Sequence, residues 1–182
     1  MPRIYLSPSL QEYNEFVNGG TEEEYMNLIA DAMEPYLIAS GIEFTRNEPS
    51  QTLGEAIDES NQGEYDFHLA LHSNAASPSL AGQVQGTDVY YWYDSKWGKA
   101  GAEIIAENYK DVYPDSNKVK TVPTSTLREL RRTYAPSALI EVAYHDNPTD
   151  AQWIKDNIDK IARNLVLSLT QYFGIPFVEP EA

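Results

Sequence analysis

The sequence predicts a single α/β domain built on a mostly parallel, twisted sheet with helices on both faces. Short apolar runs alternate along the chain with stretches of helical hydrophobic spacing, which is the pattern of strand–helix–strand units. The 182 residues, 42% of them hydrophobic, are enough to bury one core and few for two. The sequence contains no internal repeat and no low-complexity linker. We therefore expect residues 1–182 to form one domain.

The first half of the chain alternates three predicted strands with two predicted helices. A short strand at residues 3–6 leads through a polar loop to the first helix. Thr21 is the predicted N-cap of this helix, and its first turn contains Glu22, Glu23 and Glu24, whose charges favour a helix N-terminus. The other elements of this half are a strand at residues 42–45, a helix at 53–60 and a strand at 65–74.

The second half predicts two further strands and two helices. These are a strand at residues 87–92, an alanine-rich helix at 95–109, a strand at 138–143 and a long helix at 149–173. Residues 114–126 are polar and irregular, residues 127–132 fit a short strand or a turn, and residues 175–182 are expected on the surface. Irregular segments beside strand ends are where such sheets assemble their sites.

Composition excludes several classes of partner and site. The 28 acidic residues against 13 basic residues give a formal charge of -15, which opposes binding to nucleic acid or to anionic membrane surfaces. The absence of cysteine rules out disulfides and thiolate metal sites. Neither a signal peptide nor a membrane-spanning segment is apparent, so we expect a chain that is cytoplasmic as made, or exported by a route that the sequence does not reveal. We also expect the chain to be a monomer.

An apolar run at residues 65–76, YDFHLALHSNAA, ends abruptly in His72-Ser73-Asn74. Such a run predicts a buried strand that places the imidazole of His72 at its carboxyl end, where open α/β sheets bind their ligands. His68 lies on the same face of this strand but about 13 Å away, at roughly 3.3 Å per residue, so the two histidines cannot share one metal ion. We expect His68 to be a hydrogen-bonded core residue.

Glu141 lies inside a second apolar run, ALIEVA at residues 138–143. An ionised side chain at such a position is costly unless something compensates its charge. One interpretation is a buried ion pair with Arg128, Arg131 or Arg132 just upstream. The other is a carboxylate that faces a polar cavity or a metal and acts in proton transfer. The histidine at the end of the preceding strand makes the second interpretation coherent.

Three segments, GTEEEYMNLIADAM, DFHLALHSNAA and APSALIEVAYHDN, together resemble the zinc-dependent N-acetylmuramoyl-L-alanine amidases of family 3, the peptidoglycan-cleaving domain of many autolysins and phage lysins. The resemblance covers nearly the whole chain in the family's order. In that family a histidine after the first strand, a glutamate at the start of the first helix and a histidine in a segment similar to S-x-H-x-N hold one zinc ion. A glutamate in a segment similar to P-A-x-L-x-E-x-x-F-x-x-N is catalytic.

Carried onto this chain, the resemblance implies that His72 is a zinc ligand and that Glu141 is the catalytic carboxylate. The helix-start ligand falls among the three glutamates of the first helical turn. The family's spacing, similar to E-x-x-x-N-L, matches Glu23 followed by Asn27-Leu28, so Glu23 is the first choice and Glu22 the second.

The chain departs from the family at the first zinc histidine. Where the family shows D-P-G-H-G, this sequence has SPSLQ at residues 7–11, and Leu10 stands at the histidine's position. The amide oxygen of Gln11 is the candidate third ligand, although zinc prefers imidazole, thiolate or carboxylate. His145 or a second acidic residue of the first helical turn is the alternative, and loss of the metal is the remaining possibility.

The function that the resemblance implies is hydrolysis of the amide between N-acetylmuramic acid and L-alanine, in peptidoglycan or in muropeptides. Zinc would activate a water, and Glu141 would accept its proton and pass it to the departing amine. The candidate substrate contacts are Asn74, His145, Arg131 and Asn147. Two other functions stay open: an inactive muropeptide-binding module, and a related hydrolase that acts on another amide.

Overall fold

The computed structural model describes residues 1–181 and contains one six-stranded sheet flanked by six α-helices. The predicted fold class is confirmed. Among the described residues, no helix combines the length and the apolar character that crossing a membrane requires. The strands are β1 (Arg3–Pro8), β2 (Glu43–Arg46), β3 (Phe67–Asn74), β4 (Thr87–Trp92), β5 (Val119–Thr124) and β6 (Ser137–Tyr144), and the helices are α1 (Glu22–Ala39), α2 (Leu53–Gln62), α3 (Lys96–Tyr109), α4 (Arg128–Arg132), α5 (Pro148–Asp156) and α6 (Ile158–Phe173).

The sheet has the strand order β2-β1-β3-β6-β4-β5. The pairs between β2, β1, β3 and β6 are parallel, whereas β4 runs antiparallel to β6 and carries β5 parallel to itself. The carboxyl ends of β1, β3 and β6 therefore meet the amino end of β4 at one edge of the sheet. Loops that leave this edge can bring polar groups from four strands together.

The two faces of the sheet differ in what covers them. Alternate residues of β3, namely Phe67, Leu69 and Leu71, belong to the main hydrophobic core with α1, α3 and α6. The opposite face has a small apolar cluster, in which Ala70 of β3 packs against Leu130 of α4. Because side chains alternate along a strand, His68 and His72 project onto this second face, as predicted.

Three elements differ from the prediction. Residues 119–124 form an edge strand that the prediction missed, since Pro123 interrupts the strand signal and is tolerated at a sheet edge. Residues 128–132 form a single helical turn, which is too short to show periodicity. The predicted long C-terminal helix is two helices, because Asn157 leaves helical geometry at φ −127° and ψ 22°.

Asp150 of α5 holds the end of the loop between β3 and β4. Its Oδ2 accepts hydrogen bonds from the backbone N–H of Gly86 at 3.1 Å and of Tyr144 at 3.0 Å. Its Oδ1 accepts from the Tyr113 hydroxyl at 2.7 Å and from Nε2 of Gln85 at 3.3 Å. The carboxylate is almost fully buried, so each bond replaces one to water.

Asp150→Asn is expected to lower the free energy of unfolding by about 2–3 kcal/mol, because the new NH₂ group cannot accept from the donors that face it. Urea denaturation measures the loss. Asp156→Asn, an exposed aspartate of the same helix, is the matched control and should change stability by less than about 0.5 kcal/mol. Equal stability of the two variants would contradict this role.

Candidate functional site

Three ionisable side chains form a row across neighbouring strands at the edge where β1, β3 and β6 end. His72 in β3 is paired with Glu141 in β6, and Glu141 is paired on its other side with Asp88 in β4. Directly paired residues project from the same face of a sheet. The strand register therefore sets an imidazole and two carboxylates side by side.

His72 faces a carboxylate at each of its ring nitrogens. Nδ1 lies 2.8 Å from Oε1 of Glu22, and Nε2 lies 3.6 Å from Oε2 of Glu129. Burial alone would lower the pKa of His72, but Glu129 and Glu22, with the charge of Glu141, raise this pKa well above its ordinary value. The two carboxylates therefore favour the imidazolium form of the ring.

Glu22 is the first residue of α1, and only 1% of it is exposed. Its Oε2 accepts a hydrogen bond from Nδ2 of Asn14 at 2.6 Å, in addition to the contact of Oε1 with His72. Burial opposes ionisation, yet the hydrogen bond and charge of His72, with hydrogen bonds from Asn14 and Ser9, lower the pKa of Glu22. The carboxylate stays charged and balances the imidazolium.

The expected helix-start residue, Glu23, does not lie on the buried stripe of α1; Glu22 does. The other buried residues of α1 are Met26, Ile29, Ala30, Met33, Tyr36 and Leu37. Consecutive helical residues point about 100° apart, so Glu23 faces away from this stripe. Asn27, which matched the family spacing to Glu23, donates instead to the backbone carbonyl of Glu23. The helical period of the buried residues is the sequence signal that selects Glu22.

Glu129 of α4 is a site residue that the sequence reasoning missed. Its Oε1 accepts a hydrogen bond from the Ser7 hydroxyl at 2.6 Å and lies 2.9 Å from Nε2 of His68. Burial opposes its ionisation, but hydrogen bonds and charge from His68 and His72 hold the pKa of Glu129 far below its usual range. The signal that could have found it is the buried His68, which needed a polar partner.

Glu141 is a half-buried residue of β6, and one of its carboxylate oxygens is fully buried. Its Oε2 has no hydrogen-bond partner within residues 1–181. Burial raises the pKa of Glu141 to about 7; the charge of His72 opposes this rise, and those of Glu22 and Asp88 reinforce it. A carboxylate with a pKa near neutral can both accept and release a proton.

A cavity of about 320 Å³ opens beside His72 and Glu129. Its walls come from the segment after β1 and from the start of α2, and they mix hydroxyl, amide and apolar groups. Three larger cavities surround Met1 and contain no member of the row. The remaining lining residues of the cavity beside His72 are Ser7, Pro8, Ser9, Leu10, Gln11, Tyr13, Gln51, Thr52 and Leu53.

The donors around His72 do not complete the zinc site that the resemblance implies. Leu10 offers no donor atom, and the side-chain oxygen of Gln11 accepts a hydrogen bond from Nδ2 of Asn14 at 2.7 Å. Within residues 1–181, no group of three His, Cys, Asp or Glu side chains is arranged to hold a metal ion. Of the predicted ligands Glu23, His72 and Gln11, Glu22 takes the place of Glu23 against His72, and the role of Gln11 stays a prediction.

Asn74 and His145 follow different strands and occupy different surroundings. Asn74 is partly exposed beyond His72, and its side-chain oxygen accepts from the backbone N–H of Ala75 at 2.9 Å. His145 is buried, with Nδ1 2.9 Å from the Ser73 hydroxyl and its ring stacked on Phe16. Burial lowers the pKa of His145. Asn74 is therefore accessible at the end of β3, whereas His145 supports the loop before α1.

Asn147 and Arg131 do not face the row. Asn147 is the N-cap of α5, where its side-chain oxygen accepts from two backbone N–H groups, and its Nδ2 donates to the carbonyl of Gly82 at 2.9 Å. Arg131 is exposed and lines a separate surface pocket with Asp58 and Arg132. The structure thus gives Asn147 a role in holding the loop and sets Arg131 apart from the cavity.

Comparison with known proteins identifies a matching family model and similar sequences. A family model described as N-acetylmuramoyl-L-alanine amidase matches residues 11–171, beginning one residue after Leu10. The N-acetylmuramoyl-L-alanine amidase LytC of Bacillus subtilis is 25% identical over 179 residues, which cover 93% of this chain and 35% of LytC. The chain thus spans about a third of the length of that relative.

Solved structures share the fold. The N-acetylmuramoyl-L-alanine amidase AmiC2 of Nostoc punctiforme superposes with a TM-score of 0.82 at 17% identity, over 95% of this chain and 97% of AmiC2. An N-acetylmuramoyl-L-alanine amidase of Clostridium difficile 630 gives a TM-score of 0.83 at 16% identity, with the same two coverages. At such identities the likeness concerns the fold alone.

Proposed function

The chain belongs to the N-acetylmuramoyl-L-alanine amidase family, and we propose that it hydrolyses the amide bond between N-acetylmuramic acid and L-alanine in peptidoglycan or its fragments. The observation that carries this proposal is the pairing of Glu141 with His72. A half-buried carboxylate, with a pKa raised to about 7 and an Oε2 that has no hydrogen-bond partner within residues 1–181, lies beside His72 at the sheet edge. We further propose that residues 1–182 act as one catalytic unit.

Glu141 is the proposed general base. The half-buried carboxylate accepts a proton from a water molecule as the water oxygen attacks the lactyl carbonyl carbon. The protonated carboxyl then gives this proton to the alanine nitrogen as the C–N bond breaks. The products are the lactyl acid and a peptide with a free amino terminus, so one water is consumed for each bond broken.

The ring of His72, whose positive charge is offset by Glu22 and Glu129, is proposed to polarise the reacting carbonyl at short range. Zinc is the general cofactor of the family, and when bound it activates water and polarises the carbonyl. The donors present here do not complete that site, so the proposed steps use the chain's own side chains.

Mass spectrometry of muropeptides incubated with the purified chain tests the proposal. Cleavage at the lactyl–alanine bond splits each muropeptide into a sugar acid and a peptide, whose summed mass exceeds the substrate by one water. Cleavage of any other bond, or of small acyl-amides in preference to muropeptides, would overturn the assignment.

A second function, muropeptide binding without cleavage, is favoured by Leu10. Leu10 provides no ligand at the family's first zinc position, so the chain lacks one group that would help to activate water. The cavity beside His72 is still present and could bind a muropeptide. Calorimetry with the same muropeptides separates the two functions. Binding with unchanged ligand masses after prolonged incubation supports the module, whereas release of free peptide supports the enzyme.

Glu22→Gln is expected to reduce cleavage about 10- to 100-fold, because groups that orient a site histidine contribute effects of this size. Glu23→Gln, one residue along the same helix, is the matched control and should stay within twofold of the unmodified chain. Initial rates on one muropeptide measure both. A larger effect of Glu23→Gln would reassign the helix-start residue.

A further inference from the structure

A continuous line of buried polar contacts runs along the second face of the sheet towards His72. It begins at the Ser60 hydroxyl in α2, which lies 2.9 Å from Nδ1 of His68. It continues from Nε2 of His68 to Oε1 of Glu129 at 2.9 Å, and from Oε2 of Glu129 to Nε2 of His72 at 3.6 Å. Glu129 is the link between the core and the site.

The two carboxylate oxygens of Glu129 contact different side chains. Oε1 receives two donors, the Ser7 hydroxyl at 2.6 Å and Nε2 of His68, so its position is fixed from β1 and from β3. The Ser60 hydroxyl contacts Nδ1 of His68, which leaves the Nε2 edge of that ring facing Oε1 of Glu129. Oε2 is then directed at the far edge of the His72 ring.

We propose that Glu129 is a positioning residue for His72, holding the ring so that one edge faces Glu22 and the other lies against Glu129. This inference rests on the proposed function and adds to it a residue that acts through His72. An imidazole with a carboxylate on each side cannot rotate about its Cβ–Cγ bond without losing both contacts. The ring therefore keeps one orientation beside Glu141.

Glu129→Gln is the discriminating substitution. The carbonyl oxygen of glutamine can still accept from Ser7 and His68, but its NH₂ group then faces Nε2–H of His72, and neither can accept. The core contacts persist while the contact with His72 is lost. Exposed Glu64→Gln is the matched control.

We expect Glu129→Gln to lower kcat on muropeptides about 10- to 100-fold with KM within twofold. Ring ¹H–¹⁵N spectra at a single pH supply a readout independent of cleavage. The chain has three histidines, so single substitutions assign their signals. The His72 ring signals should shift in Glu129→Gln and stay unchanged in Glu64→Gln, whether or not the chain cleaves muropeptides.

A folded Glu129→Gln protein with unchanged His72 signals and kcat within twofold would overturn the positioning role. If that variant does not fold, Ser7→Ala tests the same link, because it removes one of the two donors that fix Oε1. Ser7→Ala should shift the His72 signals and lower kcat severalfold at constant KM. Unchanged signals in folded Ser7→Ala would count against the inference. Absence of cleavage with shifted His72 signals would refute the proposed hydrolysis and leave the positioning intact.

Discussion

Glu141→Gln is expected to reduce muropeptide cleavage by about 10²- to 10⁴-fold, the range that loss of a general base produces. The amide keeps the shape of the carboxyl group but cannot accept the proton of the attacking water. Because Oε2 has no hydrogen-bond partner within residues 1–181, the substitution breaks no bond at that oxygen, and the fold should persist. Steady-state rates, with thermal unfolding as a check on folding, measure the effect.

The pH dependence gives this prediction a second test. Glu141 acts as a base only when deprotonated, and its pKa is raised to about 7, so cleavage by the unmodified chain should rise as pH increases through 7. Residual cleavage by Glu141→Gln should lack that rise. Glu103→Gln on α3, against the opposite face of the sheet, is the control and should retain both rate and profile. A Glu141→Gln variant with near-normal rates would exclude Glu141 as the base.

The sequence predicted those parts of the site that lie inside strong patterns. His72 and Glu141 stand out because each interrupts an apolar strand, and strand geometry then determines which face they share. Glu129 could not be found in this way, because it lies in a single helical turn within a charged run. Its role depends on contacts with Ser7 and His68, which are 122 and 61 residues away in sequence.

The spacing of the family motif and the helical period of the buried residues select different glutamates in α1. The match to Asn27 indicated Glu23, whereas the buried stripe of α1 places Glu22 against His72. His145 and Asn147 were predicted from their position after β6. Such a position does not distinguish a residue that faces a cleft from one that holds a neighbouring loop.

Leu10→His is expected to create a zinc site in this chain. Leu10 lines the cavity beside His72, and the substitution restores the residue type that the family has at this position. An added imidazole would complete a set of two histidines and one glutamate with His72 and Glu22, which is a common catalytic zinc set. We expect zinc affinity to rise by at least about 100-fold over the unmodified chain. Calorimetric titration and metal analysis after dialysis measure it.

Leu53→His is the matched control, because Leu53 lines the same cavity from α2 but does not occupy the family's histidine position. Its zinc affinity should stay close to that of the unmodified chain. An equal gain in both variants would mean that any imidazole in the cavity can recruit the metal. Stoichiometric zinc in the unmodified chain after dialysis would show that its own side chains are sufficient to bind the metal. That result would contradict the role proposed for His72 in polarising the carbonyl.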